Sequence, residues 1–174
     1  LIQHFSLERI SRTGAVFNED KLEWMNGVYL RQLSLEEFVR RATAFLDRDL
    51  PSSVGRPLDA DYICQIMPLM QERARTLAEV PQLAEFFFLA NLEYDTNLLL
   101  GKGMDAESAI KAARFALRRL EAAEIWDPLS LENILRPLAA ELNLKTRDFF
   151  GLLRVAITGR TAAPPLFQTM AVLG

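Results

Sequence analysis

The 174-residue chain holds one cysteine and one histidine, and these two scarcities exclude a good deal of chemistry. A lone thiol, Cys64, permits no internal disulfide and suits a reducing cytoplasm. A lone imidazole, His4, has no second histidine to join it, so His/Cys zinc sites and Ser–His–Asp or Cys–His relays are effectively ruled out. His4 is read as incidental. No apolar run approaches the roughly 18 residues that a membrane span needs. The opening residues, LIQHFSLERI, lack the charged start and small-residue cleavage site of a secretory signal. The GKG at 101–103 has no P-loop surroundings, and no stretch alternates with the period of a strand. Carboxylates are plentiful but sit at helical spacings that surface solvation explains. No catalytic constellation and no metal site is expected.

What is abundant is leucine, 29 residues against 15 of valine plus isoleucine. That ratio favours helix, because Val and Ile lose rotamer freedom there while Leu loses little. Half the residues are hydrophobic and the mean hydropathy is +0.06, enough for a real core. Net charge is −3, unevenly spread: residues 144–174 carry Lys145, Arg147, Arg154 and Arg160 against Asp148 alone. A basic end on an acidic chain can mark a polyanion-binding face, although charge runs are more often simply solvated.

Start and stop signals divide the chain into helices. Asn18 precedes one over EDKLEWMNGVYLRQL, and Ser34 with Glu37 forms a capping box for the next, whose stripe is Leu35, Phe38, Val39, Ala42 and Leu46. Residues 50–57, LPSSVGRP, form a loop. Pro68 should bend the backbone from Met67 to Arg75, and QLAEFFFLANLEYD is expected as a buried helix. LLLGKGM marks a junction. Asp105 caps a helix whose inward face is expected to be Ile110, Ala113, Leu117 and Leu120. Ser130 opens another, interrupted by Pro137. Thr146 caps the next, which Gly159 stops, and the prolines at 164 and 165 start the last. The expected fold is all-α, two small helical bundles divided as 1–95 and 96–174.

Two patches rise above this background. In QERARTLAEVP, Arg73 and Arg75 follow the Pro68 break, either aimed at a ligand or neutralising a helix end. In LRVAITGRTAAPPLF, arginines lie beside a proline-stiffened Leu166–Phe167 pair. Such a ledge suits unstacked bases, and equally suits two core anchors of the last helix.

Three stretches carry a resemblance: FSLERISRTGAVFNEDKLEWMNGVYLR at 5–31, EYDTNLLLGKGM at 93–104 and LRVAITGRTAAPPLF at 153–167. In this order they resemble the carboxy-terminal, anticodon-binding half of bacterial glutamyl-tRNA synthetases, over essentially the whole chain. The HIGH and KMSKS-like signatures of the family's catalytic half are absent. The resemblance therefore implies a piece of a longer class I enzyme, inactive alone. ATP and Mg2+ would serve the catalytic half and no cofactor this chain. The implied partners are the anticodon loop of a glutamate tRNA and the enzyme's own catalytic domain, with no membrane and a monomeric, cytoplasmic state.

By the same resemblance Arg73 falls where the family reads the third anticodon base, with Arg75 its neighbour in the sequence. Arg154 falls on an arginine facing the anticodon loop, and Ala163, Pro164, Leu166 and Phe167 on a ledge for anticodon bases. Ala163 stands where a threonine can occur and Pro165 where a glycine can, so the middle-base contact has lost a hydroxyl and gained stiffness. A helical protein-interaction module, docking through EFFFLA, is the alternative from another class.

Overall fold

Side-chain oxygens start most helices in the computed structural model of the protein, which describes residues 17–101 and 103–174. Among the described residues there are eight α-helices and no strand, as expected. His4 and the first part of the 5–31 stretch lie outside them. Asn18 Oδ1 accepts the Lys21 N–H at 2.9 Å to open α1, Glu19–Gln32. Ser34 Oγ accepts the Glu37 N–H at 3.3 Å to open α2, Leu35–Asp49. The return bond of a capping box is not made, because the Glu37 carboxylate turns instead to Arg40 and Arg41. Asp59 caps α3, Ala60–Gln71, and Asp105 caps α5, Ala106–Glu121. Asp127 caps α6, Pro128–Glu141. Hydrogen bonds from Ser108 and Ser130 favour the charged forms of Asp105 and Asp127, holding both carboxyls below their ordinary range.

Several local expectations are corrected. Ser130 lies inside α6 and donates to its cap Asp127, while Pro128 takes the first turn. Thr146 begins α7, Thr146–Thr158, without a side-chain capping bond. Neither Pro68 nor Pro137 breaks its helix. Both prolines, and the residues four positions earlier, are exposed, so water can take the hydrogen bond each ring removes. The expected 82–95 helix is instead the short α4, Val80–Ala84, then a 3-10 turn over Glu85–Phe87 and irregular chain. Phe86 and Phe87 are buried in the interior with ring centroids 4.3 Å apart and planes tilted by 31°. Within EFFFLA, Phe86 and Phe87 are core, Glu85, Phe88 and Leu89 are half-buried and Ala90 is exposed, so two of the three rings are not open for docking.

The interior forms two clusters. Phe38, Leu46, Ile66, Met67, Met70 and Val80 fill the first together with Phe86 and Phe87. Ala112, Leu131, Leu135, Leu138, Phe149 and Leu152 are central to the second. The last helix, α8 (Leu166–Leu173), serves both: Leu166, Phe167 and Met170 sit in the second cluster, while Val172 and Leu173 pack on the first. On α5 the buried face is rotated from the expected one, with Leu120 packed on the second cluster and Ala113 half-buried at its border. Ala109, Ala112 and Ala116 are buried against α6 and α7, whereas Ile110 and Leu117 are more than half exposed. Small side chains let helix axes approach closely, and here that contact prevails over burying the larger stripe. No described helix is long and apolar enough to cross a membrane.

Candidate functional site

The segment after α3 is held to α1 by its own polar groups. Gln71 Nε2 donates to the carbonyls of Leu30 and Leu33, both at 2.9 Å, satisfying the end of α1. Asn26 Nδ2 donates to the Arg75 carbonyl. The Arg75 guanidinium pairs with Glu23 at 3.1 Å, and the Arg75 backbone N–H donates to the Glu79 carboxylate. Gly27 completes the fit: a Cβ there would meet Arg75 Cα at 3.4 Å and the Ala74 carbonyl at 3.5 Å. α1 thus lies close to the Ala74–Arg75 backbone.

Arg73 is thereby set on fixed backbone, its N–H and that of Ala74 both donating to the Met70 carbonyl. Its side chain is exposed and makes no ion pair or hydrogen bond among the described residues. It opens on a cleft of about 350 Å³ lined by Asp20, Trp24, Gly27, Arg31, Arg73 and Arg75. The charge of Arg75 is met by Glu23, which leaves the Arg31 and Arg73 guanidinium groups against the Asp20 carboxylate in the lining. The two arginines flanking Ala74 therefore differ in state. Arg75 is spent on α1, and Arg73 is available.

Arg154 belongs to another cleft, of about 460 Å³, which shares no lining residue with the first. There it joins Lys145, Arg147 and the Asp148 carboxylate at the start of α7, and Leu98, Leu100, Gly101 and Thr161 complete much of the lining. Gly159, at φ +69°, ends α7 in the left-handed conformation, and its N–H returns to the Val155 carbonyl at 2.7 Å. The Thr158 hydroxyl donates to the Arg154 carbonyl at 2.7 Å and accepts the Arg160 N–H at 3.2 Å. Arg160 itself is structural, reaching the Gln82 carbonyl and the Glu85 carboxylate of the first bundle.

The supposed apolar ledge is placed differently. Leu166 and Phe167 are 5% and 8% exposed, and Phe167 meets Phe150 edge-on at 5.2 Å. Ala163 and Pro164 are buried as well. Of the two readings left open for Leu166 and Phe167, core anchoring describes their side chains, so they do not stand out as a platform. The structure brings Arg73 and Arg75 together and keeps Arg154 apart from them. Trp24 and Arg31 line the first cleft without having been singled out from the sequence, whereas Lys145 and Arg147 had been named only as part of the basic carboxy-terminal stretch. The signal for Trp24 and Arg31 was their spacing with Asp20 and Gly27 on one face of α1, but nothing local says what that face meets.

A family model described as an anticodon binding domain matches residues 37–174. The glutamate–tRNA ligase of Dehalococcoides mccartyi strain CBDB1 is 47% identical over 174 residues, covering all of this chain and 36% of that protein. The corresponding ligase of Roseiflexus castenholzii is 44% identical over 177 residues, again covering all of this chain and 34% of the relative. The chain thus spans about a third of the length of the curated relatives it matches. Among solved structures, a glutamate tRNA ligase from Elizabethkingia meningosepticum superposes with a TM-score of 0.76 at 21% identity. That match covers 99% of this chain and 33% of the other and shows the shared fold. With most of its length matched by one family model and the same all-helical architecture, the chain belongs to the anticodon-binding domain family.

Proposed function

We propose that the chain is the anticodon-reading part of a glutamate–tRNA ligase and that Arg73 recognises the third anticodon base. The observation that carries this reading is the uncommitted Arg73 guanidinium, held on fixed backbone in a cleft with two further arginines. Glutamate anticodons end in C and glutamine anticodons in G. Cytosine offers two adjacent acceptors, N3 and O2, on its pairing edge, and a guanidinium presents a planar fork of donors. Guanine would present donors to donors at that place. A good bidentate contact discriminates by about 1–3 kcal/mol in DNA grooves, and the same scale is expected here.

In this reading Arg154, Lys145 and Arg147 supply phosphate contacts in the second cleft. Ala163, Pro164, Leu166 and Phe167 shape the turn following Thr161 from within. The catalytic half of the full enzyme uses ATP and Mg2+ to attach glutamate to the tRNA. The chain works as a monomer in the cytoplasm with that half and the glutamate tRNA as partners.

Binding of two anticodon stem-loops, identical except for C or G at the third anticodon position, tests the reading. Wild type is expected to prefer C by roughly tenfold or more, and Arg73→Gln to narrow that gap. Equal loss on both RNAs would reassign Arg73 to phosphate. Arg154→Ala should weaken both RNAs alike and reduce the salt dependence; unchanged affinity would remove Arg154 from the interface.

A further inference from the structure

α5 turns alanines inward and cations outward. Lys111, Arg114 and Arg118 are exposed. At about 100° per residue they fall within about 60° of one another, a ridge running two turns along the helix. None of the three makes an ion pair or hydrogen bond among the described residues, whereas Arg119, on the flank, is taken by Glu141 at 2.9 Å. The ridge lines a groove of about 340 Å³ together with Ile110, Phe115 and Glu107. Glu107 is the one carboxylate in that lining and sits in the first turn, where the helix dipole favours it. Ile110 also lines a second groove, apolar and of about 570 Å³, between α5, α7 and the 94–100 segment, with Tyr94, Leu99, Leu100 and Leu152. An apolar trough and a cationic ridge thus share an edge, and Ile110 and Leu117 beside it are more than half exposed. Single exposed apolar side chains need no partner, but a continuous apolar surface of this kind marks an interaction site.

We propose that this surface docks an amphipathic helix of a partner protein, whose apolar stripe fills the trough and whose acidic flank pairs with Lys111, Arg114 and Arg118. Charge complementarity selects the occupant. Three uncommitted cations along one side of an apolar groove fit a helix with leucine-type anchors on one face and carboxylates beside them. The ion pairs would set register and speed encounter, while the apolar anchors hold the complex. RNA fits this surface less well. Its phosphates could meet the ridge, but it has no aliphatic surface with which to cover Ile110, Leu117 and the trough. The ridge shares no lining residue with the Arg73 or Arg154 clefts, so the proposal stands apart from the anticodon reading.

The probe is a labelled, stapled helical peptide of about 15 residues, with leucines at three- and four-residue steps and glutamates along one flank. A twin carries lysines in place of the glutamates. Fluorescence anisotropy should show the glutamate peptide binding roughly tenfold or more tighter than its twin. The double variant Arg114→Glu, Arg118→Glu should reverse that preference, and Ile110→Ser should weaken the glutamate peptide by about fivefold or more. All three positions are exposed, so the fold tolerates these changes. Arg73→Gln should bind the peptide as wild type does, and the double variant should bind the anticodon stem-loop as wild type does. The proposal is overturned if the glutamate peptide does not bind, or if the two peptides bind alike and the double variant alters neither. It also fails if the double variant instead loses affinity for the anticodon stem-loop or for phosphatidylserine vesicles, which would make RNA or a lipid surface the occupant. Self-association of wild type in sedimentation, abolished by the double variant, would place a second copy of the chain there and overturn it equally.

Discussion

A charged side chain is defined by what its neighbours leave it free to do. Arg73 and Arg75 are chemically identical and flank one alanine, yet Glu23 engages only the second. Ion pairing at the surface adds little stability, but it decides which guanidinium can meet a ligand. Glu37 shows the same logic from the acid side. Hydrogen bonds from Arg40 and Arg41, aided by their charges, hold its carboxyl at about 2. Its ordinary value is 4.5, so in the folded chain the charged form persists to lower pH than in the unfolded chain. The contribution to stability is thus fully present above 4.5 and is lost as pH falls towards 2. Carboxyl NMR titration should place the Glu37 midpoint near the lower value. The double variant Arg40→Ala, Arg41→Ala should return it towards the ordinary one.

At the scale of the element, several helix starts were legible, and so was the face of α2, where Phe38, Ala42 and Leu46 are buried as expected. Asn18, Ser34 and Asp105 each accept an N–H within the next three residues, so the short sequence around each contains the whole interaction. The face of α5 is another matter. Its sequence offers two stripes, Ile110–Leu117 and Ala109–Ala112–Ala116, and the alanines go inward. Chemical denaturation can test this assignment. Ala112→Leu forces extra carbons into a closed helix contact and is expected to cost about 1–3 kcal/mol. Ile110→Lys, on the exposed side, should shift stability by no more than about 0.5 kcal/mol. The reverse order would mean that α5 buries its larger residues after all. The phenylalanine run teaches a related lesson: burial was foreseeable from the residue types, but the 3-10 turn that achieves it depends on where the first core lies.

For the molecule as a whole, the coupling of the two bundles matters most. α8 contributes to both clusters, and Arg160 ties the end of α7 to Gln82 and Glu85. The cations of the carboxy-terminal segment therefore have divided duties: Arg160 fastens the bundles, while Lys145, Arg147 and Arg154 line a cleft. Arg160→Ala is expected to lower stability by about 1 kcal/mol, measured by thermal unfolding. A double-mutant cycle with Glu85→Gln should return a coupling of about 0.5 kcal/mol or more, since both side chains are about two-thirds buried where they meet. Additive losses would show that the two groups act independently.

By itself the sequence determined the helical class, most of the helix starts, the position of the Gly159 stop and the concentration of arginines at two points of the chain. These follow from interactions that close within one or two turns: a cap finds its N–H groups three residues on, and a glycine supplies its own left-handed turn. The tertiary structure alone decided that α1 would bring Trp24 and Arg31 to Arg73, that Arg75 would be occupied and that Leu166 and Phe167 would go inside. Burial is a competition among all the apolar surfaces of the chain, and it is settled only when distant segments have chosen their partners.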